Sequence, residues 1–326
     1  MATIKDVAKY AGVSVATVSR YLNQGYISEK ARIQVEGAIK KLGYQPSLIA
    51  RSLNTKQTNA IGLIIPDITN PFFPELARAV EDAAYENGYT VILCNSDEQA
   101  EKERRYIETL TRKYVAGVIL ATNELEKEYY QQLKVPLVAL DRPIDGRIPT
   151  VMTQNIEGAK LGAEYLLSQN INHLVCLRGP DGLKPADERL KGFIQATENS
   201  SVKTTIKECA FDFNEAERIA LHLLQEDSSI DAIFACSDVS AIGALKAAHS
   251  LKITVPDQLQ ILGFDGIMLG HMTTPGLSTV AQNIYELGAK ATKLLIKQIN
   301  GEELEQMIEF VAPQLIIRDS TKEADQ

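Results

Sequence analysis

Apolar residues near the start of the chain recur every three or four positions, the spacing that buries one face of an α-helix. The first such face comprises Ile4, Val7, Ala8 and Ala11. Gly12 permits a tight turn, and Ser14 can cap a second helix. That helix is predicted over Val15–Asn23, with Val18 and Leu22 facing inward. Two short helices joined by a tight turn are typical of a helix-turn-helix, whose second helix enters the major groove of DNA.

A third helix is predicted over Ser28–Leu42, because its apolar residues can cover the first two helices and Gly43 ends the pattern. The covering residues are Ala31, Val35, Ala38, Ile39 and Leu42. Further on, Ser47–Leu53 can form one or two helical turns, which are too short to be stable alone. A polar run, Asn54–Asn59, follows. We therefore predict a head over residues 1–56, with a hinge helix at about 47–55, and a body over 57–326.

From Ala60 the pattern changes to short apolar strands that alternate with longer amphipathic helices, which is typical of βαβ units and a parallel sheet. The first run of strands is predicted at Ala60–Ile65, Thr90–Cys94, Gly117–Leu120 and Leu137–Leu140. Helices are predicted between them, near Pro74–Asn87, Gln99–Tyr114 and Glu124–Leu133. We therefore predict that this half of the body forms one α/β lobe.

The alternation then restarts after a joint near Asn155–Gly162. Strands are predicted at His173–Leu177, Ile206–Ala210, Ala232–Cys236 and Leu259–Gly263, and helices at Asn155–Gln169, Lys184–Thr197, Asn214–Gln225 and Asp238–Ser250. We predict a first lobe over about 60–158 plus 284–310 and a second over about 159–283 plus 311–326. A cleft between two such lobes is the expected place for a ligand.

Charge is distributed unevenly along the 326 residues, whose net charge is −8. Residues 1–60 hold nine Lys or Arg against three Asp or Glu, a net charge of +6, which leaves −14 for the remainder. A basic head on an acidic body concentrates phosphate affinity at one end of the molecule. A solvated basic face would explain the charge but not the helix-turn-helix pattern.

Several classes of protein are disfavoured by what the sequence lacks. Neither a signal peptide nor a run of about 18 apolar residues is present, so we expect a cytoplasmic protein without a membrane partner. The four cysteines have no paired-ligand spacing and are expected to be buried free thiols, and the four histidines have no ligand spacing either. Because nucleophile, metal and phosphate-loop motifs are missing, we predict no catalytic residue, no metal site and no cofactor.

The head and the linker Pro46–Leu53 together resemble the lac repressor/galactose repressor family of bacterial transcription regulators, and the resemblance covers essentially the whole chain. It implies a homodimer that reads a pseudo-palindromic operator in double-stranded DNA, with the linker folding into a hinge helix on DNA. It also assigns base contacts to Val15, Ala16 and Arg20, phosphate contacts to Thr3, Ser14, Thr17 and Tyr44, and a minor-groove wedge to Leu53. Arginine can hold guanine by two hydrogen bonds, which suits Arg20 to reading a base.

The body resembles periplasmic sugar-binding proteins, and ribose binders most closely. The matching segments are Asp67–Phe73, Leu140–Arg142, Asp187–Arg189, Phe211–Phe213, Gly263–Gly266 and Ala281–Gln282. They imply a sugar pocket made of Asn70, Phe72, Phe73, Asp141, Arg142, Arg189, Phe213, Ser237, Asp265 and Gln282. Ser237 departs from the asparagine common in ribose binders, so one hydroxyl contact there is shortened or passes to water. Phenyl faces suit the CH faces of a sugar, and carboxylates and guanidinium groups suit its hydroxyls.

The resemblance implies a repressor whose effector is D-ribose or a close pentose. Singly, each pocket residue also has a structural explanation, such as a helix start, a helix cap or a core position. Two alternatives stay open for the effector. One is a phosphorylated pentose, which Arg142 and Arg189 could also serve, and the other is a catabolite-type global regulator that answers to a phosphorylated carrier protein. A transport protein with the same lobes would need a signal peptide and has no use for a DNA-binding head.

Overall fold

The computed structural model describes residues 2–22, 25–44 and 58–322. The chain divides into two compact units, Met1–Thr58 and Asn59–Gln326. The predicted hinge helix at about 47–55, with Leu53, lies outside the described residues, as does Asn23 at the predicted end of the second helix.

The first unit consists, where described, of three helices around a small apolar core. They are α1 (Ile4–Ala11), α2 (Val15–Leu22) and α3 (Glu29–Leu42). Val7, Val18 and Val35 are fully buried where the three helices meet. Gly12 ends α1 with φ of +65°, a conformation that glycine adopts without a steric penalty. The head therefore has the helix-turn-helix arrangement that the apolar spacing predicts.

The second unit alternates strands and helices along the described chain. In chain order its elements are β1 (Ala60–Ile65), α4 (Phe72–Glu86), β2 (Thr90–Asn95), α5 (Ala100–Arg112), β3 (Gly117–Leu120), α6 (Lys127–Gln131), β4 (Leu137–Leu140), β5 (Thr150–Thr153), α7 (Asn155–Leu167), β6 (His173–Arg178), α8 (Lys184–Thr197), β7 (Lys203–Glu208), α9 (Phe213–Glu226), β8 (Ala232–Ala235), α10 (Asp238–Ser250), β9 (Gln260–Asp265), α11 (Met268–His271), β10 (Ser278–Ala281), α12 (Ile284–Ile299), β11 (Ile308–Val311) and β12 (Gln314–Ile316).

These strands form two six-stranded sheets with the same pattern of neighbours. The first sheet has the order β11-β5-β4-β3-β1-β2 and the second β12-β10-β9-β8-β6-β7. Every neighbouring pair is parallel except β10 and β12. In each sheet an early strand, β1 or β6, lies between its successor and the strand after that. The chain thus reverses its direction of travel across the sheet there, and the carboxyl ends of strands at such a point form a crevice suited to a ligand.

The central strands of each sheet are buried on both faces, as their nearly continuous apolar sequences require, whereas the edge strand β7 is mostly exposed. Helices α4 and α12 pack against one face of the first sheet, where Leu76, Leu287 and Leu295 are fully buried. A separate apolar cluster that includes Ile107 and Leu110 of α5 covers the other face. The second sheet is enclosed in the same way by two further clusters. Each lobe thus has an apolar cluster on either face of its sheet, and Ile267 of the second lobe joins a cluster of the first.

Three crossings of the chain connect the lobes, between β5 and α7, between β10 and α12, and between β11 and β12. Helix α7 begins at Asn155 and packs on α8 and on the second sheet, so the predicted lobe boundary at 158 falls inside this helix. Val311 pairs with Thr153 in the first sheet, which places the last crossing after Val311. The backbone N–H of Gln154 donates to the carbonyl of Val311 at 3.1 Å. This hydrogen bond connects the first crossing, after β5, with the last, after β11.

Within the described ranges, no helix combines the length and the apolar character needed to cross a membrane. The four cysteines are buried and free, as expected from their spacing.

Candidate functional site

A cavity of about 450 Å³ lies between the carboxyl ends of the two sheets, within the size range of small-molecule sites. The first lobe lines it with Pro66, Asp67, Asn70, Phe72, Phe73, Asp97, Glu98, Ala121, Leu140, Asp141 and Arg142. The second lobe and its crossing add Pro180, Leu183, Pro185, Arg189, Ala210, Phe211, Asp212, Asp265 and Gln282. Most of these residues follow directly after a strand, which explains how distant parts of the sequence converge here.

Eight of the ten residues predicted for the sugar pocket line this cavity. They are Asn70, Phe72, Phe73, Asp141, Arg142, Arg189, Asp265 and Gln282. The other two, Phe213 and Ser237, do not line it.

Phe211 takes the place that the sequence comparison assigned to Phe213. The Asp212 carboxylate accepts from the backbone N–H of Glu215 at 2.8 Å and caps α9. Phe213 is therefore the first helical residue, while Phe211 remains in the preceding loop and lines the cavity. The ring centre of Phe211 lies 5.8 Å from the Arg189 guanidinium.

Ser237 is buried and serves as the cap of α10. Its hydroxyl accepts from the backbone N–H of Ser240 at 3.1 Å and donates to the Ser240 hydroxyl at 2.9 Å. A short side chain that both caps the helix and meets Ser240 does not reach the cavity wall. The position that carries an asparagine in ribose binders is thus used for structure in this chain.

Arg189 is the polar centre of the second lobe and is only 3% exposed. Its Nε donates to Asn155 Oδ1 at 2.9 Å, and its Nη1 donates to the Cys236 carbonyl at 2.7 Å and to Asp265 Oδ1 at 3.1 Å. The guanidinium also lies 4.0 Å from the ring centre of Phe264. These contacts fix the plane of the guanidinium, which is the condition for recognising a ligand by its directed donors.

Close packing of α7 against α8 makes the Arg189 contact possible. A Cβ built on Gly192 would lie only 2.1 Å from the carbonyl oxygen of Ile156, so the helices could not approach this closely with any other residue there. Asn155 precedes Ile156 at the start of α7, and Arg189 lies one turn before Gly192 on α8. The glycine therefore brings the amide and the guanidinium within hydrogen-bonding distance.

Asp265 and Gln282 connect the cavity to the lobe crossings. Gln282 Nε2 donates to Asp265 Oδ1 at 2.6 Å, and the Thr153 hydroxyl donates to Gln282 Oε1 at 2.7 Å. Thr153 ends β5 at the first crossing, and Gln282 follows β10 at the second. Hydrogen bonds therefore link the Asp265 carboxylate to both of these crossings.

Arg142 is the polar centre of the first lobe and is 8% exposed. Its Nη2 donates to Glu98 Oε1 at 2.7 Å and its Nη1 to Glu124 Oε1 at 3.2 Å. The preceding residue, Asp141, has a φ of +59°, and its Oδ1 accepts from the backbone N–H of Thr153 at 3.1 Å. Left-handed backbone is rare outside glycine and is often found at ligand sites.

Two aromatic rings form the apolar wall of the first lobe. Phe72 and Phe73 meet edge to face, with ring centres 5.1 Å apart. Asn70 Oδ1 accepts from the backbone N–H of Phe72 at 3.1 Å and fixes the loop that presents both rings. The cavity therefore offers apolar faces beside carboxylates and guanidinium groups, the combination that a sugar ring requires.

Burial changes the acidity of two carboxyl groups in the second lobe. It raises the pKa of Asp265, an effect that the nearby Arg189 charge opposes. Burial, and then the Asp265 charge, raises the pKa of Asp238 to about 7. Asp238 accepts from Gly266 N, Ile267 N and the Thr279 hydroxyl at 2.8, 2.9 and 2.6 Å, so it holds the backbone after Asp265 in place.

In the first unit, α2 presents the residues predicted to meet bases. Val15, Ala16 and Arg20 are exposed. The Ser14 hydroxyl accepts from the backbone N–H of Thr17 at 3.1 Å and lies 2.9 Å from the Thr17 hydroxyl. Ser14 thus caps α2 as predicted. The side chains at the start of this helix, on Val15 and Ala16, are small, so they would let the helix approach base edges closely.

The two other predicted phosphate contacts lie on different elements of the head. Exposed Thr3 caps α1, where its hydroxyl accepts from Asp6 N at 3.4 Å and its backbone N–H donates to Asp6 Oδ2 at 2.8 Å. Tyr44 is half-buried against the head core after α3. The predicted wedge Leu53 lies outside the described residues.

The cavity also contains acidic residues that the sequence comparison did not assign. Asp67 and Asp212 lie inside the matched segments but were not selected as pocket residues. Asp97 and Glu98 lie outside those segments. Their position after β2, at a carboxyl strand end, was the signal that could have identified them. Among the described residues, no group of three or more His, Cys, Asp or Glu side chains could hold a metal ion.

Comparisons with known proteins give a family match for each of the two units. Residues 3–47 match bacterial regulatory proteins of the lacI family, and residues 163–321 match a periplasmic binding protein-like domain. The chain is 52% identical over 323 residues to the ribose operon repressor of Halalkalibacterium halodurans, covering 99% of this chain and 98% of that protein. Two solved structures are also similar to this chain in fold.

A LacI family transcriptional regulator from Enterococcus faecium with bound ribose is 28% identical, with a TM-score of 0.74 over 80% of this chain and 98% of that one. The lac repressor dimer bound to operator is 24% identical and matches the fold with a TM-score of 0.86 over 98% of this chain and 99% of that one. The match at 52% identity spans nearly the full length and includes the helix-turn-helix and the two-lobed body, so the chain belongs to the lacI family of bacterial regulatory proteins.

Proposed function

We propose that the chain is a sequence-specific DNA-binding repressor whose operator affinity is controlled by D-ribose or a close pentose bound between the lobes. The observation that carries the proposal is the convergence of eight predicted sugar-contacting residues on one cavity. The relative at 52% identity is a ribose operon repressor, and the Enterococcus faecium regulator holds ribose, which supports the same ligand class. The chain is a regulator and not an enzyme.

The chemistry of the cavity suits a small polyol. Phe72 and Phe73 offer ring surfaces to the CH groups of a sugar, while Asp141 and Asp265 accept from its hydroxyls. Arg189 supplies directed donors, because no hydrogen bond within the described residues engages its Nη2. A ligand that meets both lobes favours the form in which they are closest together.

We propose that residues 1–56 and 57–326 are the functional division of the molecule. The head binds DNA through Thr3, Ser14, Val15, Ala16, Thr17, Arg20, Tyr44 and Leu53. A pseudo-palindromic operator is read by a homodimer, since two symmetric half-sites require two heads. The lac repressor dimer bound to operator has the same fold as this chain and supports this assembly.

Effector and operator are coupled through the linker, which leads in sequence directly into β1 of the first lobe. Movement of the two first lobes within a dimer changes the separation of the two hinge helices, and an unpaired short helix is unstable. The ligand shifts this equilibrium only by its difference in affinity for the two forms. A coupling free energy of about 1–3 kcal/mol is the expected size, with ribose releasing the operator.

Calorimetry with a panel of pentoses tests the ligand assignment. We expect D-ribose to bind and 2-deoxy-D-ribose to bind more weakly by about 1–3 kcal/mol, because a missing hydroxyl leaves a buried polar group without its partner. Sugars that differ only in the orientation of one hydroxyl serve as matched ligands. Absence of heat with every pentose would exclude the assignment.

Arg20→Ala tests the reading of bases by α2. The exposed guanidinium of Arg20 is expected to hold guanine by two hydrogen bonds, so its loss should relax preference at one symmetric pair of operator positions by about 1–3 kcal/mol. The measurement is binding to a set of duplexes with single substitutions. Arg32→Ala is the control, because Arg32 is exposed on α3 and should leave base preference unchanged. Equal weakening on every duplex would instead assign Arg20 to a phosphate.

A further inference from the structure

Arg142 is not available to a ligand as a free cation. Arg142 Nη2 donates to Glu98 at 2.7 Å and Nη1 donates to Glu124 at 3.2 Å. The Arg142 side chain is only 10% exposed. Glu124 is itself two-thirds buried, whereas the Glu98 side chain is about half exposed and lines the cavity. Glu98 and Arg142 both line the cavity, so their ion pair forms part of the cavity wall.

Arg189, the other guanidinium of the cavity, is neutralised by Asp265 at 3.1 Å. The cavity lining as a whole contains six carboxylates and two guanidinium groups. The carboxylates are Asp67, Asp97, Glu98, Asp141, Asp212 and Asp265. A ligand that enters therefore meets a negative surface, because the six carboxylates outnumber the two guanidinium groups and the Lys102 ammonium that pairs with Asp97.

The loop that carries Glu98 is held in an uncommon conformation. Asp97 and Glu98 both have φ of +53°, in the left-handed region that side chains disfavour. Lys102 Nζ bonds Asp97 Oδ2 at 2.5 Å, and Asn95 also donates to the Asp97 carboxylate. These contacts hold the turn after β2 so that the next side chain, Glu98, meets Arg142 across the lobe.

We propose that Glu98 is a specificity-determining residue that makes the cavity select neutral sugars and reject phosphorylated ones. This inference rests on the proposed function, since it concerns the same ligand cavity. A phosphate group carries about −1.5 to −2 charges at pH 7 and needs unpaired cationic or N–H donors. Here Glu98 accepts from Arg142 Nη2 and Glu124 accepts from Nη1, so both terminal nitrogens already have a carboxylate partner, and the remaining carboxylates repel the dianion. A neutral hydroxyl meets no such repulsion and can accept from a guanidinium that keeps its carboxylate partners.

Removal of the Glu98 charge reverses both effects, because it frees an Arg142 nitrogen and lowers the negative charge of the lining. Glu98→Gln and Glu98→Ala are compared with the parent by calorimetry of the full-length chain. The ligands are D-ribose, ribose 5-phosphate and inorganic phosphate, the last measured as a competitor of ribose. Glu101→Gln is the matched control, since Glu101 is an exposed carboxylate three residues away that does not line the cavity.

We expect the parent to bind D-ribose at least about tenfold more tightly than ribose 5-phosphate. In both Glu98 variants the ratio of the two affinities should fall by at least about tenfold, a change of 1.4 kcal/mol, and phosphate should begin to compete with ribose. Glu101→Gln should keep the parent ratio.

Different results separate the inference from the function on which it rests. A parent that binds ribose, together with Glu98 variants whose ratio is unchanged, contradicts the role of Glu98 alone. A parent that prefers ribose 5-phosphate contradicts the exclusion of phosphorylated sugars and replaces the effector. A parent that binds neither sugar overturns the proposed function, and the inference with it.

Discussion

Arg189→Met is expected to lower the free energy of unfolding of the body by about 3–5 kcal/mol and to abolish pentose binding. Methionine fills most of the space of the arginine stem but removes three hydrogen bonds. Asp265 is left as a buried carboxylate without its cation, and Asn155 Oδ1 and the Cys236 carbonyl lose their donor. Urea unfolding followed by circular dichroism, and calorimetry with D-ribose, measure the two effects.

Arg218→Met is the control for this substitution. Arg218 lies on α9 of the same lobe, its side chain is 72% exposed, and its nearest carboxylate, on Glu215, is 3.7 Å away. Exposed pairs of this kind contribute little, so the loss should stay below about 1 kcal/mol. Equal losses for the two arginines would show that the Arg189 contacts do not stabilise the body. The double variant Arg189→Met/Asp265→Asn should lose less than the sum of the single losses, because it leaves no unpaired charge.

Asp238→Asn is expected to become more stable relative to the parent as the pH rises from about 4 to about 7. Burial raises the pKa of Asp238 in the folded chain from its ordinary 3.8 to about 7, so the folded protein keeps a proton that the unfolded chain releases. The contribution of this carboxyl is therefore full below about 4 and is lost as the pH rises to about 7, by about 1 kcal/mol per pH unit.

Asparagine retains the shape of the side chain and carries no titrating group. Its oxygen can still accept from Gly266 N and Ile267 N, and any constant loss from the altered Thr279 contact does not depend on pH. Unfolding free energies of parent and variant are compared at several pH values. Asp257→Asn, at an exposed aspartate in the same lobe, is the matched control for the loss of one carboxylate. A constant difference for Asp238→Asn would mean that Asp238 is ionised throughout.

The sequence was sufficient to predict the alternation of strands and helices, whereas the pocket residues were assigned through the resemblance to sugar-binding proteins. Among them, Asp141, Arg142 and Asp265 each end or follow an apolar strand, and parallel sheets place such positions at one edge. The short strands β5, β10, β11 and β12 were not predicted. Each has only three or four residues, and their pairing with distant strands is what defines them.

The details that the sequence did not predict depend on contacts between distant residues or on local capping. Which phenylalanine faces the cavity, Phe211 or Phe213, is decided by the capping of α9 at Asp212. Ser237 was assigned to the ligand although its hydroxyl is used by Ser240. Glu98 and Arg142 are 44 positions apart in the sequence, and their contact depends on a left-handed turn at Asp97 and Glu98. The spacing of apolar residues does not predict such a turn.

The most direct test of the proposed function is a titration of operator DNA with the full-length chain, with and without saturating D-ribose. The DNA is a duplex selected for tight binding to this chain from a randomised pseudo-palindromic pool, and the salt concentration is held fixed because phosphate contacts make affinity salt-dependent. Ribose should weaken binding by about 5- to 150-fold, the range that corresponds to a coupling of about 1–3 kcal/mol. Unchanged operator affinity, under conditions in which calorimetry shows the cavity filled with ribose, would contradict control of the operator by this sugar.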